Sequence, residues 1–110
     1  MRTMLRNAHG PMLRAVQRMV RAEAGELTTL IVESVFCEDW ASATFVGQRH
    51  RFDLRLDGPE ASAAAARIAA LIGEVEIVVA GHIVAVIAVV SDAQVGSSHI
   101  LTLDALTLED

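Results

Sequence analysis

Apolar residues recur along the chain with two different periods. Met12, Leu13, Val16, Met19 and Val20 fall three and four apart, which puts them on one stripe of a helix. Pro11 suits the first helical position, where an N–H would find no partner, and Gly25 suits the stop beyond the last turn. The spacing predicts a helix over residues 11–24. Ala61, Ala64, Ala65, Ile68, Leu71 and Ile72 repeat the pattern after Gly58-Pro59, and Gly73 ends it, so a second helix is predicted over 59–72. Its alanines leave room for close approach to a sheet.

Elsewhere the period drops to two. Residues 27–36 are rich in β-branched and apolar side chains and read as a strand, with Cys37-Glu38-Asp39 as a turn. Residues 40–46 and 49–56 read as the arms of a hairpin closed by a type II′ turn at Gly47-Gln48. That pairing puts Ala41, Ala43, Phe45, His50, Phe52 and Leu54 on the core face. Trp40, Ser42, Thr44, Arg49, Arg51, Asp53 and Arg55 take the other. A second hairpin of the same type is expected from 75–80 and 83–90 around Gly81-His82, then a polar loop over 91–98 and a last strand over 100–108. In that strand the apolar phase slips between Leu103 and Leu106, and a β-bulge near Asp104-Ala105 would restore one buried face. Residues 1–9 carry no pattern and read as a frayed leader.

The expected fold is therefore α+β in two layers, with both helices on one face of an antiparallel sheet of five or six strands, in the order α-βββ-α-βββ. Gly10-Pro11 and Gly58-Pro59 stand 48 residues apart, as do Gly25-Glu26 and Gly73-Glu74. Either the halves descend from a duplication or the same helix-start and helix-stop chemistry is used twice.

The 75–90 hairpin carries the main functional expectation. One of its faces holds Val75, Ile77, Val79, Val84, Val86 and Ala88, and the other Val78, Ala80, Ile83, Ala85, Ile87 and Val89, with Glu74 and Glu76 at its rim. Both are apolar, so burying one against the helices leaves about 300 Å² of the other exposed, near the limit for a monomer. Either residues 1–9 or the 91–98 loop fold over it, or a second copy covers it in an isologous dimer, the preferred reading.

Composition narrows the class without naming a chemistry. The chain has 110 residues, 53% of them hydrophobic and 21% charged, which fits one folded domain and excludes a disordered one. Its longest apolar stretch, residues 77–90, is too short to span a bilayer, and no secretory signal is visible. A single cysteine suits a reducing compartment, so a cytoplasmic location is expected. Nine arginines, no lysine and abundant alanine suggest a GC-rich bacterial genome. Residues 1–22 carry a charge of +5 and residues 23–110 carry −10. A body of that sign repels phosphate, so no nucleic-acid partner is expected.

Catalytic and cofactor motifs are missing. There is no CxxC, HExxH, Walker loop or GxGxxG, and Gly96-Ser97-Ser98-His99 lacks the nucleophile elbow. Glu38 and Asp39 beside Cys37 should raise its thiol pKa and blunt it. His9, His50, His82 and His99 share no ligand spacing, so neither a metal nor another cofactor is predicted. Glu33 is expected to pair across strands with Arg51 or Arg55. Trp40, Arg51 and Arg55 share the non-core face and have the composition of a contact hot spot. The resulting expectation is a non-catalytic interaction module, a homodimer open to a protein partner, using Trp40, Arg51, Arg55, Val78, Ile83, Ala85 and Ile87. The alternative is a small-ligand binder or minor enzyme with a pocket near His50, Arg51 and Arg55.

Overall fold

A computed structural model describes residues 7–110 of the chain. The expected leader lies outside the described residues over positions 1–6. Its last part is not frayed: Ala8 is fully buried and α1 (His9–Ala24) starts at the next residue. The remaining elements are β1 (Thr29–Ala41), β2 (Val46–Asp57), α2 (Ala61–Leu71), β3 (His82–Val95) and β4 (Ser98–Glu109). The four strands form one antiparallel sheet in the order β1-β2-β4-β3.

Both helices pack on one face, as their stripes require. Met12, Val16 and Val20 of α1 and Ala64, Ala65 and Ile68 of α2 meet Phe52, Leu54 and Leu56 of β2 and Leu101 and Leu103 of β4. All of these are fully buried. Each large side chain among them contributes roughly 1.5–3 kcal/mol through removal from water.

The strand count and order differ from expectation. Among the described residues the sheet has four long strands and the element order is α-β-β-α-β-β, because segments that read as separate strands are continuous. Cys37, Glu38 and Asp39 stay extended and pair with His50, Arg49 and Gln48, fusing two expected strands into β1. The chain reverses instead at residues 42–45, where Ser42 Oγ accepts from the backbone N–H groups of Thr44 (3.4 Å) and Phe45 (3.1 Å). Gly47 has a different role. It pairs with Trp40 on one side and Leu108 on the other, and a Cβ there would lie 1.9 Å from the Thr107 carbonyl oxygen.

The second expected hairpin is also displaced. Residues 75–78 are not in a strand, and Val79 meets His82 in a single bridge across a tight turn. The expected loop 91–98 is instead the end of β3, a turn at Gly96-Ser97 and the start of β4. Gly96 has φ +62 and among the described residues no non-glycine, Ser97 included, has a positive φ, the sign pattern of a type II′ turn. β4 carries no bulge at Asp104-Ala105, since its pairing with β2 is unbroken. Its apolar phase slips because Leu101, Leu103 and Ala105 face the helices while Ile100, Leu106 and Leu108 face away. The bulges lie in the outer strands, at Glu33 in β1 and at Ala85 and Val90 in β3.

Candidate functional site

One sheet face carries the helices and the other is left open. Directly paired residues share a face, so the register places Arg49, Arg51, Asp53 and Arg55 of β2 on the open side, with Phe36, Glu38 and Trp40 of β1. Asp104 and Leu106 of β4 and Val86 and Ala88 of β3 join them. A groove of about 1040 Å³ runs over this surface, lined by Phe36, Arg49, Arg51, Val86, Val90 and Leu106 among others.

Ion pairs hold the charged residues along its centre. Arg51 donates to both oxygens of Asp104, from Nε at 2.7 Å and from Nη2 at 2.9 Å. This bond raises the arginine pKa and holds the Asp104 carboxyl below its ordinary value. Asp53 accepts from the hydroxyls of Ser34 (2.5 Å) and Thr102 (2.6 Å), which lower its pKa. Arg55 reaches Glu33 at 2.8 Å and Asp57 at 3.3 Å, so the expected pairing of Glu33 with Arg55 is present. Arg49 sits over the Trp40 ring, 5.8 Å from its centroid.

The sequence-derived contact residues are therefore divided. Trp40, Arg51 and Arg55 do share the open face, but they are spread along it. The two arginines stand four positions apart on the strand, about 13 Å. Both arginines already have carboxylate partners, and the residue stacked on Trp40 is Arg49. Val78 is 74% exposed but lies off the sheet, in the connection after α2. Ile83 is exposed on the open face, and Ala85 is exposed as a bulge residue. Ile87 turns the other way, pairing with Ala105 and packing against the core. The bulge at Ala85 causes this, because one extra residue flips every side chain after it. Val86 takes the outward position instead.

A second constellation stands on the helix side, at the start of α1. Ala8 N–H donates to the buried Gln48 Oε1 at 2.8 Å, which ties the helix start to β2 and sets His9 above the sheet. His9 Nδ1 lies 3.0 Å from His50 Nδ1. Their rings are parallel, with Phe52 stacked on both. Cys37 pairs with His50 across β1 and β2, and the donor atoms of His9, Cys37 and His50 all lie within 4.8 Å of one another. His50 Nε2 lies 2.8 Å from Thr107 Oγ1.

Burial, then the proximity of His9 and His82, pushes the His50 pKa down to about 4. Burial lowers His9 as well. Both imidazoles are neutral at neutral pH, so each has one N–H and one lone-pair nitrogen, and one Nδ1 donates to the other across the 3.0 Å contact. Burial raises the Cys37 thiol, and Asp39 and Glu38 raise it further, so it is a poor nucleophile by itself.

No local motif marks this cluster, since its members come from three separate elements. The available signal was cross-strand register. His50 reads as core-facing from sequence, and Cys37 falls opposite it once β1 is continuous through residues 37–39. No family model, curated protein or solved structure matches the chain.

Proposed function

We propose that this protein is a non-catalytic binding domain that self-associates through its open sheet face. The supporting observation is the surface opposite the helices, where Phe36, Val86, Val90 and Leu106 flank a file of ion-paired arginines and carboxylates. Phe36 is 53% and Val86 55% exposed, and Ile83 extends the apolar strip along β3. The large apolar side chains supply the contact area of a face-to-face homodimer, and the charges beside them are already paired within the chain. The molecule extends over 50 × 22 Å, enough for the roughly 800 Å² per partner of a standard interface.

The sheet edges are poorer candidates. The bulges at Glu33, Ala85 and Val90 interrupt hydrogen-bond ladders that an added strand would need. Anion binding at Arg51 and Arg55 is the weaker alternative, because Asp104, Glu33 and Asp57 already engage them. No described helix is long and apolar enough to cross a membrane, and one free thiol fits a cytoplasmic setting.

Sedimentation velocity at micromolar concentration tests the reading. A dimer is expected for the native chain, and Phe36→Asp or Val86→Asp should give a folded monomer by circular dichroism. A native chain that stays monomeric over that range would overturn it.

A further inference from the structure

We propose that His9 Nδ1, His50 Nδ1 and Cys37 Sγ form a Zn²⁺ site with the fourth tetrahedral position open to water or another donor. Three separate elements deliver one ring nitrogen of each histidine and the Cys37 sulfur to one place, within 4.8 Å of one another. Bonds of about 2.0–2.1 Å to nitrogen and 2.3 Å to sulfur set the spacing a tetrahedral ion needs, about 3.3 Å between nitrogens and 3.6 Å between nitrogen and sulfur. The two Nδ1 atoms stand at 3.0 Å, and closing the remaining gaps takes side-chain rotations of about 1 Å. Two imidazoles and one thiolate are a borderline-soft set that suits Zn²⁺ and not Mg²⁺ or Ca²⁺.

The surroundings favour the metal-binding tautomer of His50. Thr107 Oγ1 lies 3.5 Å from the Gln48 carbonyl oxygen, which only accepts. With the threonine hydroxyl hydrogen pointed there, Oγ1 accepts from His50 Nε2–H at 2.8 Å. His50 Nδ1 is then unprotonated and accepts from His9 Nδ1–H at 3.0 Å. This is the arrangement in which a ligand histidine is oriented through its other ring nitrogen. Phe52 stacks on both rings. On binding, His9 moves its ring hydrogen from Nδ1 to Nε2, which frees Nδ1 for the ion, and Cys37 releases its thiol proton to solvent and coordinates as thiolate, so uptake of the ion should acidify an unbuffered solution.

The test uses the full chain, purified metal-free under reducing conditions and titrated with Co²⁺ and then Zn²⁺. We expect one Co²⁺ per chain, with tetrahedral d–d absorption and a thiolate-to-Co²⁺ charge-transfer band, both removed by stoichiometric Zn²⁺. Cys37→Ser should abolish the charge-transfer band. His9→Ala alters a half-buried position and should keep the native circular dichroism while weakening Zn²⁺ binding at least tenfold, the lower end of what losing even an outer partner costs. Absence of the charge-transfer band in the native chain overturns the proposal. So does Zn²⁺ affinity unchanged by His9→Ala, which would mean an isolated thiol binds the ion.

Discussion

Neighbouring residues of β2 meet two different environments. Phe52 is fully buried under both helices, whereas Arg51 points from the other side into solvent and is held by Asp104. The covered side depends on removal of apolar area from water, which charge screening does not weaken. The open side depends on short hydrogen bonds between exposed charges, which water and ions weaken. The helix layer thus carries stability, and the open layer is free to carry recognition.

The largest effect that tests this contrast is Phe52→Ala, expected to cost about 3–5 kcal/mol of unfolding free energy in a urea titration. A loss near that of a surface substitution would erase the difference between the faces. Acid should act on the same covered side. In the metal-free protein the folded-state pKa of His50 lies at about 4, below the ordinary 6.5, so the unfolded chain binds more protons between these values. The associated stability is fully present above 6.5 and is lost as pH falls through 4, amounting to about 3 kcal/mol at most. The groups facing this ring are His9, Cys37, Phe52, Thr107 and His82. Denaturation curves of the native chain and of His50→Gln, followed from neutral pH to about 4, should converge as the medium is acidified.

Next in size is Thr107→Val, which keeps the shape but removes the partner of the buried His50 Nε2. The expected cost is about 1–3 kcal/mol, read from the urea midpoint. Smallest is Arg51→Ala, expected below about 1 kcal/mol and diminishing further in high salt. A larger cost that persists in salt would mean the open face contributes to folding after all.

The helices were legible because their apolar stripes are local signals; the Gly-Pro pairs marked the starts only to within two residues, since α1 begins at His9 and α2 at Ala61. So was the core-facing phase of His50, Phe52 and Leu54, which lie on a strand covered along its middle by helices. The turns were misplaced for opposite reasons. Gly47 resembles a turn residue but is small because the Thr107 backbone passes against it. Gly96-Ser97 is a genuine hairpin turn, yet Ser91, Asp92 and Gln94 before it resemble a loop. That end of β3 is exposed on both sides, so no buried face imposed an alternation there. The open-face ion pairs were half legible. Glu33 with Arg55 could be anticipated from one hairpin, but Arg51 with Asp104 needed the β2–β4 pairing of distant strands. The His9–Cys37–His50 cluster depended on that same kind of long-range placement.

The connection between α2 and β3 divides the chain into two α-β-β pieces, and residues 73–78 form no part of the sheet. The halves join chiefly through the uninterrupted pairing of β2 with β4, which runs from Gly47 and Leu108 to Asp57 and Ser98. A nick in that connection severs no ladder hydrogen bond. Each fragment would be left with one inner strand lacking its mate, so the two have the means to find each other and rebuild the sheet when mixed.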